Sequence, residues 1–143
     1  MGAGVACVGV LAWFTALTVY DVRQRRLPNA LTLPGAAVVL AVALATGRGA
    51  PALVGALVLA LFYLAVHLVT PTGLGAGDVK LAIGVGALTG SFGVDAWVLA
   101  ALGAPVLTAI WAVAVAFRGS AATVPHGPSM CAAAAAAVAI VII

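Results

Sequence analysis

Only three carboxylates occur in this chain of 143 residues, and two of them lie at the edges of uncharged segments. Asp21 closes the first apolar run, and Asp78 stands in the stretch GAGDVK, which runs from Gly75 to Lys80. A carboxylate near the hydrocarbon layer is costly and is a candidate functional group by default. Two neighbouring carboxyl groups share a proton, so one can activate water while the other protonates a leaving group. The two aspartates therefore suggest paired acid–base chemistry.

The composition places this chemistry in a membrane. The chain is 66% hydrophobic and only 6% charged, and its mean hydropathy is +1.31. Soluble domains carry about 25% charged residues, so the bilayer is the predicted solvent and partner. The net charge of +3 comes from scattered cations, which predicts no nucleic-acid partner. Cys7 and Cys131 lie in apolar runs without zinc or disulfide spacing, so we predict no metal and no cofactor.

Charged residues divide the chain into six apolar stretches, which cover residues 2–20, 27–47, 49–77, 81–94, 96–117 and 119–143. A helix needs about 20 residues to cross the hydrocarbon core. Five stretches are long enough, and the fourth suffices if its helix begins at Val79 and Lys80, with Lys80 extending to the surface. The sequence therefore predicts an all-α, polytopic membrane protein, with six transmembrane helices in one bundle. The length predicts a single membrane-embedded domain over residues 1–143.

The cations predict the orientation of the bundle. The odd-numbered loops carry five of the six cations, which are Arg23, Arg25, Arg26, Lys80 and Arg118, and the even-numbered loops carry Arg48 alone. We therefore expect a cell-membrane protein with cytoplasmic odd loops and with both termini outside. Asp21 and Asp78 then share the cytoplasmic side, whereas Asp95 falls in the fourth loop, as an interfacial anchor or helix cap.

The neighbours of the two aspartates suggest different roles for them. Asp78 opens the fourth helix near a partial positive charge and Asp21 closes the first helix near a partial negative one, so Asp78 is predicted to start as base and Asp21 as acid. Gly75 and Gly77 can adopt positive φ and expose backbone to an extended peptide. Without such chemistry, the same stretch would be a flexible turn with Asp78 as helix N-cap.

Three separated segments together resemble the type IV prepilin peptidases, which are membrane aspartic peptidases. They are YDVRQRRLPNALTLPG (residues 20–35), GLGAGDVKLAIGVGALTG (residues 73–90) and VPHGPSM (residues 124–130). The resemblance implies that Asp21 and Asp78 are the catalytic pair. It also implies a substrate with a basic cytoplasmic leader, a pilin-like membrane protein cut after Gly, just before its apolar helix.

The resemblance also suggests residues that shape the site or contact substrate. They are Pro28, Asn29, Gly75, Gly77, Lys80, Pro125, Gly127 and Pro128. Pro28 and Asn29 are expected to form the turn before the second helix, with Asn29 as its cap. His126 replaces the aromatic residue usual between Pro125 and Gly127, either as a simple turn residue or as one that tunes the pair.

The chain departs from the larger members of that family at its start. It begins directly at the first catalytic helix, without the cysteine-rich segment associated with methylation of the new N-terminus. The sequence is accordingly similar to the short peptidases of tight-adherence (Flp-type) pilus systems, and methyltransferase activity is not expected.

Two non-enzymatic alternatives stay open at this point. The chain could be a small transporter, or a non-catalytic accessory of pilus or secretion assembly. A transporter is expected to place ionisable residues near the bilayer midplane. His67, inside the third stretch, invites a proton-relay role, but a hydrogen bond to a neighbouring helix is the simpler expectation.

Overall fold

The structure is a computed structural model that describes residues 2–143. Over that range the chain forms six α-helices and no strand, which confirms the all-α prediction. The helices are α1 (Gly2–Gln24), α2 (Asn29–Ala45), α3 (Gly49–Val69), α4 (Ala76–Ser91), α5 (Val94–Phe117) and α6 (Gly127–Ile142). Three of them, α1, α3 and α5, are long and apolar enough to cross a membrane.

Helix ends follow local backbone chemistry. Gly47, which follows the Thr46 C-cap of α2, has a φ of +74°, and a left-handed residue at this position allows the chain to leave the helix. The third apolar stretch reaches residue 77, but α3 stops at Val69, two residues before Pro71, which cannot continue a helix. Similarly, the last stretch begins at residue 119, but α6 begins at Gly127, with a proline in its first turn. These two helices are therefore shorter than the apolar stretches that contain them.

α4 is the central helix of the bundle. Nine of its residues are buried, and it packs against α2, α3, α5 and α6. Its closest packing is against α3, where Gly86 meets the backbone of Gly55, and Gly90 meets the carbonyl of Pro51. The Gly86 and Gly90 pair therefore supports close packing inside the bundle, as expected of small residues at membrane-helix interfaces.

We expect Gly86→Ala to destabilise the fold. A Cβ at Gly86 would overlap the Gly55 carbonyl group and lie 3.0 Å from the Ala56 Cα, and neither backbone can yield locally. Overpacking of this kind costs about 1–3 kcal/mol, which an unfolding titration in detergent micelles would register. Gly9→Ala is the matched control, since a Cβ there has no neighbour within 4 Å. Equal stability of the two variants would contradict the close α3–α4 contact.

The outer faces of the peripheral helices are apolar and exposed. Large side chains on α3 and α5 illustrate this, with exposed fractions of 61% for Leu61, 62% for Phe62 and 60% for Ile110. Contiguous apolar surface of this extent is typical of contact with a membrane or partner rather than with water. Together with the three long apolar helices, it points to a membrane protein.

The loops segregate to two ends of the bundle. At one end, the Arg48 guanidinium in the second loop lies 5.4 Å above the Phe92 ring in the fourth. At the other end, Arg25 Nη1 donates to Thr123 Oγ1 at 3.2 Å, which joins the first and fifth loops. The helices therefore alternate in direction, and the first, third and fifth loops form one end of the molecule.

Candidate active site

A polar cleft opens at the end of the bundle that carries the odd-numbered loops. Its volume is about 610 Å³, and both Asp21 and Asp78 line it. The rest of its lining comes from the end of α1, the first loop, the start of α2 and the start of α4. The fold thus brings together two acids that are far apart in the sequence, whereas Asp95 lies outside the cleft, exposed in the first turn of α5.

Asp21 is held by the start of α6. It lies in the last turn of α1 and is only 7% exposed. The Gly127 amide donates a hydrogen bond to Asp21 Oδ2 at 3.0 Å. A Cβ on Gly127 would stand 2.5 Å from that same oxygen, so the contact requires glycine. The Pro-x-Gly-Pro turn therefore reaches the site through Gly127.

Asp78 lies in the first turn of α4, and the glycines beside it differ in their roles. The N-cap is Gly75, with a φ of −73°, so the alternative interpretation of this stretch, in which Asp78 is the N-cap, was wrong. The Asp78 carboxyl group instead lies beside Gly75, where an added Cβ would stand 3.5 Å from Asp78 Oδ2. Neither Gly75 nor Gly77 has positive φ, so that expectation was also wrong. Gly77 serves close packing, because a Cβ there would lie 2.9 Å from Leu27 Cβ.

These contacts change the argument about acid and base roles. Asp78 lies at the N-terminus of its own helix, as the sequence indicated. Asp21 ends α1 but accepts a hydrogen bond from the N-terminus of α6, whose partial positive charge favours an anion. Helix position therefore no longer distinguishes the two acids, and their division of labour stays a prediction.

Gly77→Ala is expected to impair the site more than Gly75→Ala does. The added methyl group at residue 77 must displace either Leu27 or the first turn of α4, which carries Asp78. A misplaced reacting group can cost about 100-fold in rate, so we expect at least a tenfold loss per folded molecule. At Gly75 the nearest atom is 3.5 Å away, an ordinary contact. Peptide-cleavage rates of the two variants provide the test, and equal losses would contradict it.

Lys80 and Asn29 link α4 to α2 at the rim of the cleft. Lys80 Nζ donates to Asn29 Oδ1 at 2.7 Å, and both residues line the cleft. The N-cap of α2 is Pro28, with no side-chain hydrogen bond, so the prediction of Asn29 as a cap was wrong. Asn29 instead spans the gap to the helix that carries Asp78.

The remaining lining is basic. Arg25 and Arg26 join Lys80 around the two acids. Arg25 has a φ of +53°, an uncommon conformation for a residue with a side chain. The cleft can therefore receive an anionic group at its rim while the acids lie deeper in it.

Comparison with known families identifies the group to which this architecture belongs. The model of the type IV leader peptidase family matches residues 8–143. The chain belongs to the type IV leader peptidase family. Separate searches of curated proteins and of solved structures found no match. The family match extends across both aspartates and all three motif segments, and it makes the chain a protease of the leader-peptidase type.

The residues of the third motif of this leader peptidase, VPHGPSM (residues 124–130), differ in what they contribute to the site. Gly127 contacts Asp21, whereas Pro125 is buried and Pro128 occupies the first turn of α6. Neither proline is among the described residues that line the cleft. The two prolines therefore shape the turn that presents the Gly127 amide and do not face the cleft.

Sequence reasoning did not anticipate the hydrogen bonds around His126. Its Nε2 lies 2.7 Å from Tyr63 Oη and its Nδ1 lies 2.6 Å from Thr108 Oγ1. His126 is thus more than a turn residue, because it joins α3 and α5 to the start of α6. The available signal was the presence of isolated polar side chains, Tyr63 and Thr108, in otherwise apolar helices.

His67 has a local partner. Its Nδ1 lies 2.6 Å from the Leu74 carbonyl oxygen, which belongs to the loop after its own helix rather than to a neighbouring helix. The expectation of an interhelical bond was therefore wrong. Within the part of the chain that the structure describes, no three His, Cys, Asp or Glu side chains converge as a metal site would require.

Proposed function

We propose that the chain is a membrane aspartic endopeptidase that removes the basic leader from type IV pilin-like precursors. The observation that carries this proposal is the shared cleft of Asp21 and Asp78. Two carboxyl groups that share one proton can activate a water molecule for attack on a peptide bond. Membership of the leader peptidase family supports peptide hydrolysis as the reaction.

In this mechanism the two carboxyl groups hold one proton between them. The ionised group takes a proton from water as the water attacks the scissile carbonyl carbon, and the protonated group hydrogen-bonds the carbonyl oxygen. When the C–N bond breaks, a proton passes to the departing amine. The Gly127 amide fixes one oxygen of Asp21, which leaves the other oxygen of that carboxyl group for water or substrate.

The basic rim of the cleft supports a preference within the substrate. Arg25, Arg26 and Lys80 surround the acids, so an acidic residue close to the cleavage site would be attracted. Because these loops carry most of the cations, we propose that the cleft faces the cytoplasm and that both termini lie outside. With Cys7 and Cys131 replaced by alanine, a membrane-impermeant thiol reagent should then label Ser120→Cys only from the cytoplasmic side, and Asp95→Cys only from the outer side.

The position of the acids favours an enzyme over a transporter. Both aspartates lie at one end of the bundle, beside polar loops, whereas transporter sites lie near the midplane between helix halves. A non-catalytic accessory would have no requirement for two acids in one cleft, and both are present. The family match supports the same choice.

The decisive experiment uses the purified protein in lipid vesicles with a synthetic precursor. The precursor carries a basic leader, a glycine and an apolar helix, and mass spectrometry identifies the products. We expect a single cut directly after the glycine, and a precursor with leucine in place of that glycine should resist cleavage. A folded protein that leaves the first precursor intact would overturn the proposal.

A further inference from the structure

The two bonds of His126 fix the direction of a hydrogen-bond chain. Thr108 Oγ1 lies 3.0 Å from the Ala104 carbonyl oxygen and 2.6 Å from His126 Nδ1. With the hydroxyl proton assigned to the Ala104 carbonyl, Thr108 accepts from His126 Nδ1. In the neutral ring Nε2 is then an acceptor, and Tyr63 Oη donates to it at 2.7 Å. Burial lowers the pKa of His126, in agreement with a neutral ring assigned from this network. In this assignment, each of the three donors, Tyr63 Oη, His126 Nδ1 and Thr108 Oγ1, has an acceptor.

This series of hydrogen bonds leads to Asp21. His126 is followed directly by Gly127, whose amide donates to Asp21. His126 also accepts, through its carbonyl, the Met130 amide of the first turn of α6 at 3.1 Å. Tyr63 is only 4% exposed and stacks at a tilt on the His126 ring, with centroids 5.6 Å apart. A rigid side chain on α3 thus sets the position of the amide that holds Asp21.

The second aspartate is connected to the same helix. His67 follows Tyr63 by four residues, so both side chains lie on one face of α3, one turn apart. The Leu74 carbonyl oxygen can only accept, so His67 Nδ1 donates to it at 2.6 Å. Leu74 precedes the Gly75 N-cap of α4 directly. The Gly75 carbonyl accepts the Asp78 backbone amide at 3.1 Å, and a Cβ on Gly75 would stand 3.5 Å from Asp78 Oδ2.

We propose that the last turns of α3 are a common positioning element for both aspartates, with Tyr63 acting through His126 on Asp21 and His67 acting through Leu74 on Asp78. The expected effect on kcat rests on the proposed function, whereas the expected effect on the positions of the two aspartates does not. Neither Tyr63 nor His67 lines the cleft, so both are positioning residues. Because both residues belong to α3, this helix sets the distance between the two carboxyl groups and keeps the range of that distance narrow.

Two variants remove one link each while keeping the packing. Tyr63→Phe deletes only the hydroxyl group, and His67→Leu deletes the donor to Leu74. Each is expected to lower kcat by about tenfold or more, since catalysis depends on near-attack geometry, and to change KM by less than about twofold. His67→Asn retains a donor near the position of Nδ1 and should recover part of the loss. Tyr20→Phe is the matched control, because Tyr20 is the other tyrosine of the chain and is exposed.

A distance measurement tests the inference without catalysis. Spin labels at Gln24→Cys and Ala76→Cys, at the two sides of the cleft, report the separation of the two segments once Cys7 and Cys131 are alanine. We expect one narrow distance distribution in the parent and in Tyr20→Phe, and broad ones in Tyr63→Phe and His67→Leu. This outcome would stand even if the parent cleaved no precursor, so a failure of the proposed function is distinguishable from a failure of this inference.

Two results would overturn the inference. The first is a narrow, parent-like distribution in either Tyr63→Phe or His67→Leu. The second is a lower melting temperature with unchanged kcat per folded molecule, which would assign these side chains to fold stability alone.

Discussion

Asp21→Asn and Asp78→Asn proteins are expected to fold normally and to cleave precursor about 10⁴-fold more slowly than the parent, or not at all. Asparagine keeps the size of the side chain, and at residue 21 its carbonyl oxygen can still accept the Gly127 amide hydrogen bond. The variants lose only the ability to exchange a proton with water and the leaving group. Removal of one member of a catalytic unit typically costs a factor of this order.

The third carboxylate provides the matched control for these variants. Asp95 is exposed in the first turn of α5, at the end of the bundle away from the cleft, and Asp95→Asn should cleave at the parent rate. The double variant of Asp21 and Asp78 should be no slower than either single variant, because the two acids act as one unit. Mass spectrometry gives the single-turnover cleavage rates of the two single variants, the double variant and the Asp95→Asn control. Independent, multiplying losses would argue against a shared proton.

Gly127→Ala is the second variant with a large expected effect. The new methyl carbon would lie 2.5 Å from Asp21 Oδ2 and 3.2 Å from its Cγ, so the Asp21 carboxyl group or the start of α6 must move. Both movements break the amide hydrogen bond and shift a reacting group by a distance that costs about 100-fold in rate. We therefore expect a loss of that order in kcat, measured on protein shown to be folded by circular dichroism.

The control for this prediction is a glycine that has room for a methyl group. At Gly73, in the loop before α4, the nearest atom to an added Cβ is 3.5 Å away, so Gly73→Ala should keep most of the activity. The effect of Gly127→Ala should also disappear in an Asp21→Asn background, where little activity is left to lose. A Gly127→Ala protein with the parent rate would show that Asp21 does not need this amide during catalysis.

The sequence predicted the parts of the fold that depend on one segment at a time. Each helix lies mostly within one apolar stretch, because uninterrupted apolar residues specify a buried or lipid-facing helix whatever their neighbours are. The start of α4 differs from the prediction: the helix begins at Ala76 rather than at Val79, because its first turn includes a charged residue, Asp78, that hydropathy counts as a boundary. The grouping of Asp21 with Asp78 at one end followed from cation counts and agrees with their shared cleft.

Contacts between helices lay beyond the reach of that reasoning. Asn29 was expected to cap its own helix, but its partner is Lys80 of α4. Similarly, the partners of His126 are Tyr63 and Thr108, in two other helices. Such pairs depend on the rotation of each helix about its axis and on its depth in the bundle, which side-chain packing determines jointly for all six helices. A single sequence carries no local signal for these quantities.

The contact of Gly86 with Gly55 has a mechanical consequence. Because the two backbones touch without intervening side chains, α3 and α4 cannot slide or roll past one another without collision, and they act as one stiff wall that carries Asp78. A peptide that enters the cleft therefore meets one side that does not yield, and the stiff α3–α4 pair keeps Asp78 in place while the substrate binds.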